Sequence, residues 1–377
     1  MSTIPSAASL PFQSILDSYS HVVLATGCPI PKRHEALHPS PYCIPALSLV
    51  HWYTQHPKNT SPPPPLDKVS HVSIIGNGNV SLDVARMLLT DVKVLSKYDV
   101  PQPVLDVLSR STVKHVSIIG RRGALEAAFK IKEIREMINL PGASMVPLDP
   151  SLLIPYPDKT PTRSRSKILK LLQEGSKTPF GTTSKTWSLD FFRSPIGLIP
   201  PNANSSPQLT LSHTILNPET KQAVLTQETS TLPTDLVITS LGFHGDPSFS
   251  FYDQELGHSR NDSGRITHQD GTILKNVYTS GWAAHGAKGV LALTMGDAYR
   301  VADTMVRDWV ANGQEEASDL DEPPKEVQLS MKDGIVTSYE DWKKIDEEEM
   351  RRGKAIGKER ERMGWDEASK FLNKCSS

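Results

Sequence analysis

The feature that most constrains the fold lies between His71 and Arg86, where the chain reads HVSIIGNGNVSLDVAR. A β-branched run leads into a glycine-rich turn and then into a helical pattern. In a dinucleotide-binding βαβ unit the first glycine permits a tight turn, the second lets backbone approach a pyrophosphate, and the third position, here Ser81, stays small so that helix and strand pack closely. Exposed N–H groups and the helix dipole favour an anion there. An ordinary glycine-rich turn is the alternative.

A second pattern follows in the order that such a unit requires. The run from Val113 to Ile119 predicts another strand, and it ends in Gly120-Arg121-Arg122-Gly123. The end of this strand lies beside the adenosine ribose, where an acidic residue accepts a hydrogen bond from the 2′-OH of NAD and arginines suit the 2′-phosphate of NADP. Two arginines and no acid predict NADP. A solvated basic loop is the alternative.

Composition excludes several classes of protein. A length of 377 residues predicts two domains, and a formal charge of −1 gives no reason to expect nucleic acid or an anionic membrane as a partner. No apolar run reaches membrane-spanning length. The three cysteines Cys28, Cys43 and Cys375 form no C-x-x-C pair, which excludes a dithiol redox centre. The 12 histidines show no metal-ligand spacing, and no targeting signal is visible at the N-terminus.

Four long motifs occur in a fixed order: GNGNVSLDVARMLL, GRRGALEAAFKIKEIREMINLPG, FFRSP at 191–195 and SGWAAHGAKGVLALTMGD at 280–297. Together they resemble the NADPH:adrenodoxin (ferredoxin) oxidoreductases, a family of mitochondrial flavoproteins. The resemblance extends from about Ser14 to the region of Trp342. The family's own G-x-G-P-A-G flavin fingerprint does not occur before Val22.

The expected fold is α/β, with two Rossmann-like dinucleotide-binding domains and the NADP domain inserted into an FAD domain shortened at its N-terminus. The strand-like runs Val22–Gly27 and Leu236–Gly242 flank the nucleotide module, as expected for such an insertion. The expected domains are a remnant of the FAD domain at 1–65, the NADP domain at 66–235 with a Pro/Ser/Lys-rich excursion at 155–187, and the rest of the FAD domain with a charged helical tail at 236–377.

The resemblance implies the cofactors FAD and NADP and a set of residues that bind them. On the NADP side these are Gly76, Asn77, Gly78, Asn79 and Val80 at the pyrophosphate, Arg121 and Arg122 at the 2′-phosphate, and Glu133 on a helix expected over Ala124–Met137. On the flavin side they are Trp282, Gly289, Val290 and Leu291, where a long amphipathic helix begins. No metal ligand is expected.

The implied reaction passes a hydride from NADPH to FAD and then single electrons to an acidic 2Fe–2S ferredoxin. The flavin supplies the chemistry, so we expect no catalytic acid or base. An acidic ferredoxin is steered by positive potential, and the candidate docking residues are Arg135, Arg163, Arg165, Lys167 and Lys170. A solvated basic loop explains the last four equally well. The resemblance places the protein in mitochondria, on the matrix side of the inner membrane.

Other functions remain open at this stage. A chain without the flavin fingerprint could be an NADP-binding protein that has lost flavin chemistry; it would then be purified with little or no FAD, bind NADPH weakly through residues 71–140 and tend to aggregate. A flavin monooxygenase is disfavoured because its F-x-G-x-x-x-H signature is absent. The small subunit of glutamate synthase is disfavoured because the chain has no N-terminal cysteine cluster.

Overall fold

The computed structural model describes residues 11–59, 61–156, 160–202, 206–289, 291–312, 325, 328–329 and 337–375, with only the backbone at Leu291, Lys374 and Cys375. These residues form two compact units. The smaller unit combines residues up to Lys32 with Gly242–Tyr339, and the larger unit combines Arg33–Leu241 with the residues from Glu340 onward. Residues 33–241 of the larger unit are therefore inserted between the two segments of the smaller one, as expected from the sequence, and its remaining residues follow the second segment.

The secondary structure alternates between strands and helices. The strands are β1 (Val22–Leu24), β2 (Ile30–Pro31), β3 (Cys43–Pro45), β4 (His71–Ile75), β5 (His115–Gly120), β6 (Ala143–Met145), β7 (Lys185–Phe191), β8 (Arg193–Ile199), β9 (Gln208–Leu216), β10 (Ala223–Pro233), β11 (Leu236–Thr239), β12 (Phe243–His244), β13 (Tyr252–Asp253), β14 (His258–Ser259), β15 (Asn261–Asp262), β16 (Arg265–Thr267) and β17 (Ile273–Thr279).

The α-helices are α1 (Phe12–Ser18), α2 (Ala46–Tyr53), α3 (Asn79–Leu89), α4 (Val92–Leu95), α5 (Gln102–Ser109), α6 (Ile131–Ile138), α7 (Arg163–Glu174), α8 (Trp282–His285), α9 (Leu291–Ala311), α10 (Tyr339–Ala355) and α11 (Trp365–Cys375). Short 3₁₀ turns lie at Leu66–Lys68, Ala124–Glu126 and Pro150–Leu153.

A six-stranded parallel sheet forms the centre of the larger unit, in the order β3-β11-β4-β5-β7-β6. Strands β4 and β5 run side by side in register, from His71 opposite His115 to Ile75 opposite Ile119. The segment between them supplies α3 to α5. Because β4 and β5 are parallel, the turn at residues 76–79, called the phosphate turn after its expected ligand, lies at the same carboxyl edge of the sheet as Arg121 and Arg122. In doubly wound folds, that edge is where ligands bind.

The two faces of this sheet are covered differently. One face carries Val72, Ile74 and Trp187, and it packs against helices, including α3 with the fully buried Val84 and Leu88. The other face is covered in part by the antiparallel sheet β10-β9-β8. Its small apolar core combines residues of both sheets, and these are Leu37, Cys43, Ile75, Ile119, Val237, Leu209 and Leu211.

A polar row crosses the second face where parallel strands are usually apolar. His71 Nε2 lies 2.9 Å from Ser117 Oγ, and His115 Nδ1 lies 2.7 Å from Thr186 Oγ1. The two imidazole rings meet edge to face, with their centroids 4.9 Å apart. Burial and the neighbouring His115 lower the pKa of His71 to about 4. A neutral His71 is therefore part of the folded sheet.

The smaller unit is built on a four-stranded sheet in the order β1-β17-β16-β15. Strand β1 pairs in parallel with β17, with Val22 opposite Val277. Phe251, Ile266 and Val277 form its apolar core, against which Phe12 and Leu16 of α1 pack. Among the described residues, β1 has a strand neighbour on one side alone, and Val23 is 44% exposed.

The boundaries between the two units differ from the domain boundaries expected from the sequence. The first lies between Lys32 and Arg33 rather than near residue 65, because β3 pairs in parallel with β11 and α2 buries Trp52 in the core of the larger unit. The second lies between Leu241 and Gly242, because β11 itself belongs to the six-stranded sheet.

The residues from Glu340 onward also belong to the larger unit, rather than to the unit formed with residues 242–339. Lys358 Nζ donates to the Val100 carbonyl at 2.9 Å, and Arg362 pairs with Asp99 at 2.7 Å. The carboxylate of Glu361 accepts a 2.6 Å bond from the Gln102 amide, at the first residue of α5. Charged groups of the expected helical tail thus attach it to the larger unit.

We expect the free energy of unfolding to fall as the pH falls from about 6.5 towards 4, because the unfolded chain binds a proton on His71 in that window and the folded chain does not. The contribution of this one side chain is about 3 kcal/mol. His71→Gln should flatten the dependence of the urea midpoint on pH. The matched control His38→Gln, at an exposed histidine, should leave it unchanged; equal slopes for wild type and His71→Gln would contradict this prediction.

Candidate functional site

The turn after β4 is shaped by one close approach. Gly76 has φ +120°, and a Cβ atom at this position would lie 2.2 Å from the carbonyl oxygen of Ser240. Its amide donates to the Ile119 carbonyl at 2.8 Å, so the turn is bound to the end of β5 as well. Only glycine fits both the conformation and the space.

Helix α3 begins immediately after this turn with an uncapped N-terminus. Gly78 is its N-cap and offers no side chain to the first amides of the helix. No heavy atom lies within 4 Å of the position that a Cβ of Gly78 would occupy. Free amide donors, the positive end of the helix dipole and open space are what a pyrophosphate requires.

Three buried polar atoms near this turn lack a hydrogen-bond partner within the described part of the chain: Asn77 Nδ2, Ser81 Oγ and Glu133 Oε2. Asn77 belongs to the turn, Ser81 to the first turn of α3, and Glu133 to the neighbouring helix α6. A buried polar atom without a partner is costly unless something else satisfies it. The residues present therefore fit a polar ligand such as the nucleotide.

The loop after β5 carries both arginines and is tied to the phosphate turn. Arg121 is exposed and Arg122 is half-buried, and neither makes an ion pair with another described residue. The amides of Ala128 and Phe129 each donate to the Asn77 carbonyl at 3.1 Å. The Lys130 amide donates to Asn79 Oδ1 at 2.9 Å.

These bonds explain why the expected helix over Ala124–Met137 is in fact a 3₁₀ turn followed by α6 from Ile131. The backbone between Ala127 and Lys130 uses its donors on the phosphate turn and cannot also use them in a helix. The arginines and the turn are therefore held in one hydrogen-bonded assembly.

The other residues expected on the NADP side differ in orientation. Val80 packs against the helix-side core, so its backbone alone is available to a nucleotide. Glu133 lies beside Asp83, whose pKa is raised by burial, lowered by Arg86 and raised further by Glu133. Arg86 pairs with Asp83 at 2.9 Å and also with Glu136. This one arginine therefore neutralises the neighbouring carboxylates Asp83 and Glu133 only in part.

In the smaller unit, the expected flavin residues lie on a well-supported turn. Gly281, with φ +67°, precedes α8, and its amide donates to Asp297 Oδ2 at 2.6 Å. Trp282 is 38% exposed, and its carbonyl accepts a 3.1 Å bond from the Cys28 thiol. Gly289 has φ +93°. The expected residue Val290 lies outside the described residues, and Leu291 is described by backbone alone as the start of α9.

Sequence reasoning missed Asp297, which organises this turn. Besides Gly281, it receives Ser280 Oγ at 3.1 Å, lies 2.8 Å from His285 Nε2 and pairs with Arg300. Burial opposes its ionisation, but the hydrogen bonds from Gly281, His285 and Ser280 hold the pKa of Asp297 below its usual value. A lone carboxylate within an apolar stretch of α9 was the available signal.

The expected docking cations do not behave alike. Arg135, Arg163 and Lys167 are exposed, and Lys170 lies 3.8 Å from Glu174. Arg165 instead turns inward and donates to two backbone carbonyls of the loop that follows Arg122. Helical spacing was the available signal, because Arg165 precedes the apolar Ile168, Leu169 and Leu172 by three, four and seven residues and so lies on the buried face of α7.

The part of the chain that the structure describes contains neither a membrane-spanning helix nor a metal-ligand cluster. No helix there is both long and apolar enough to cross a bilayer. No group of three or more His, Cys, Asp or Glu side chains there is arranged to hold a metal ion.

The parallel sheet, the glycine turn at its carboxyl edge and the two-unit organisation define the chain as an α/β protein of the dinucleotide-binding class. No family model matches the chain. It is 35% identical over 371 residues to the mitochondrial NADPH:adrenodoxin oxidoreductase of Bos taurus, covering 93% of this chain and 73% of the relative. It is 30% identical over 393 residues to the probable mitochondrial NADPH:adrenodoxin oxidoreductase of Saccharomyces cerevisiae, covering 96% and 76%.

Among solved structures, FprA of Mycobacterium tuberculosis in complex with NADPH matches with a TM-score of 0.82 and 26% identity, covering 97% of this chain and 80% of that one. The chain belongs to the NADPH:adrenodoxin oxidoreductase family. The resemblance and the fold expected from the sequence motifs are confirmed, and the chain is a member of an oxidoreductase family. The individual site residues remain predictions.

Two glycine variants separate folding from binding. Gly76→Ala should destabilise the protein by about 3 kcal/mol or more, because it forces a Cβ against the Ser240 carbonyl at a positive φ. Gly78→Ala meets open space at φ −95° and should change stability by less than about 1 kcal/mol.

The same Cβ at Gly78 would occupy space needed by a pyrophosphate, so Gly78→Ala should weaken NADPH binding about tenfold or more. Thermal unfolding and calorimetric titration measure the two effects. An NADPH affinity unchanged in Gly78→Ala would show that the nucleotide does not approach this turn.

Proposed function

We propose that this protein is a flavoprotein oxidoreductase that carries electrons from NADPH through FAD to an acidic 2Fe–2S ferredoxin, in the mitochondrial matrix. Its relatives are named for NADPH and adrenodoxin and as mitochondrial proteins. One observation carries the proposal: the unpartnered Asn77 amide, the open N-terminus of α3 at Gly78 and the free Arg121-Arg122 pair belong to one hydrogen-bonded assembly.

Each part of this assembly has a role in binding NADPH. The amides at Gly78 and Asn79 would hold the pyrophosphate, with the Asn77 side chain as a further donor. Arg121 and Arg122 would hold the 2′-phosphate by charge-assisted hydrogen bonds. Glu133, with one buried oxygen unpartnered, can accept a bond from a hydroxyl or amide of the nucleotide.

On the flavin side, the residues present fit the isoalloxazine end. Trp282 offers a partly exposed aromatic face on a turn that Asp297 and Cys28 hold in place, and Gly289 has a positive φ that favours glycine. Leu291, at the start of α9, would continue this contact. Val290 lies outside the described residues and stays a prediction. FAD, when bound, converts a two-electron donor into one-electron steps. The task of these residues is to orient the ring and keep water from it.

A second candidate, an NADP-binding protein without flavin chemistry, is favoured by strand β1. Among the residues that the structure describes, β1 pairs with β17 alone and Val23 is 44% exposed, so this edge of the sheet is open. Flavin absorbance of the purified chain and NADPH-dependent reduction of a ferredoxin decide between the two candidates. Bound flavin with ferredoxin reduction supports the electron-transfer function, and NADPH binding without flavin supports the second candidate.

The nucleotide preference gives a direct test. Replacing Arg121 and Arg122 together with Ala should weaken NADPH binding by about two orders of magnitude, because charge-assisted bonds to a phosphate contribute roughly 1.5 to 3 kcal/mol each before desolvation. NADH binding, which involves no 2′-phosphate, should hardly change. Titrations with both nucleotides measure the preference. An equal loss for NADH and NADPH would mean that the arginines support the loop and do not read the phosphate.

The ferredoxin surface is proposed to lie on α6 and α7, with Arg135, Arg163, Lys167 and Lys170 as its exposed cations. Complementary charge raises the rate of encounter, and salt screens it within a Debye length of about 8 Å at physiological ionic strength.

The double change Arg163→Glu/Lys167→Glu should raise the apparent KM for an acidic ferredoxin about tenfold at low salt and leave reduction of a small artificial acceptor unchanged. The matched control Lys97→Glu alters an equally exposed cation elsewhere on the same unit. If the artificial acceptor is affected as strongly as the ferredoxin, these residues do not form the docking surface.

A further inference from the structure

Arg165 makes contacts unlike those of the other cations on α7. Its guanidinium donates through one terminal nitrogen to the Ala124 carbonyl at 3.2 Å and through the other to the Ala127 carbonyl at 2.9 Å. These two carbonyls lie at the two ends of the 3₁₀ turn that follows Gly123. The side chain is half-buried, and burial lowers the pKa of the guanidinium while Glu126 opposes that shift.

The base from which Arg165 reaches the loop is rigid. Helix α7 begins at Arg163 with Thr162 as its N-cap, and Thr162 Oγ1 accepts the Arg165 amide at 3.3 Å. Ile168, Leu169 and Leu172 lie three, four and seven residues after Arg165, on the same face of α7, and they anchor that face in the core of the larger unit. A fork on an anchored helix can fix the separation of two carbonyls, whereas a single point donor cannot.

The loop that Arg165 holds links two parts of the nucleotide site. At its start it carries Arg121 and Arg122, and at its end the amides of Ala128 and Phe129 bind the Asn77 carbonyl. A second hold acts on the same loop, where Tyr156 OH donates to Glu126 Oε2 at 3.3 Å. These two contacts add to the burial of Ala124 and Ala127 in restraining the segment between the arginines and the phosphate turn.

We propose that Arg165 is a positioning residue for the nicotinamide nucleotide: by bridging the carbonyls of Ala124 and Ala127, it sets where Arg122 meets the 2′-phosphate. This inference rests on the proposed NADPH site and assigns to Arg165 a role different from ferredoxin docking. The arginine acts through the loop and touches no substrate. Its neighbours Arg163 and Lys167 remain free for a partner.

The experiment measures binding of NADPH and of 2′,5′-ADP to the full chain by calorimetry. Arg165→Gln should weaken both ligands about tenfold, within the range found for directly coupled residues. In an Arg122→Ala background the same change should cost less than about twofold, because the contact that Arg165 positions is already lost. Additive losses in the two backgrounds would overturn the proposal.

Arg165→Lys separates geometry from charge. Lysine keeps the positive charge but lacks the fork, so this variant should bind both ligands nearly as weakly as Arg165→Gln; binding as tight as wild type would overturn the proposal. The control Arg110→Gln, at an exposed arginine that ends α5, should bind like wild type.

The remaining outcomes distinguish a failure of the positioning role from a failure of the proposed function. If both Arg165 variants lose cooperative thermal unfolding, the residue belongs to the general fold, and the positioning role is wrong. If the wild-type chain itself binds neither NADPH nor 2′,5′-ADP, the proposed function fails. If wild type and Arg165→Gln bind both ligands equally, only the role of Arg165 fails.

Discussion

The larger unit depends on one close contact between two backbone segments, the approach of Gly76 to the Ser240 carbonyl. A side chain at Gly76 would separate the ends of β4 and β11, which are neighbours in the parallel sheet. Because Gly76 also bonds to the end of β5, three strand ends meet at one point. The close approach of these strand ends determines where α3 begins, how much space lies at Gly78 and how Asn77 is oriented.

The loop that carries Arg121 and Arg122 is also in contact with the place where these strand ends meet. The two arginines after β5 follow a strand end that contacts Asn77, since a Cβ at Gly120 would lie 2.6 Å from Asn77 Nδ2. Thr214 on β9 adds a 2.8 Å bond to the Arg121 carbonyl, so the antiparallel sheet also supports the basic loop. The basic loop is thus fixed from several directions, which would reduce the ordering required if it binds a phosphate, as proposed.

The sequence predicted the parts of this protein that depend on local pattern. The β4 run, the glycine turn and α3 lie where the periodicity placed them, because strand, turn and helix signals agree there. Contacts between distant segments were not predictable. The pairing of β3 with β11 and the carbonyl contacts of Arg165 depend on partners far away in the sequence. The role of Asp297 depends on how α9 packs against the turn at residues 280–285. Composition does not distinguish Arg165 from Arg163, but helical spacing does, because Arg165 shares a face of α7 with the buried Ile168 and Leu172.

The return of the tail to the larger unit has a consequence for how the protein is made. Residues 340–375 contribute the carboxylate at the start of α5 and the buried Lys358, yet they are translated after the whole of the smaller unit. Domains generally begin folding from the N-terminal side during synthesis, so residues 33–241 emerge from the ribosome about a hundred residues before these partners do. A chain truncated within residues 242–339 would therefore leave the larger unit without the contacts of its last helices.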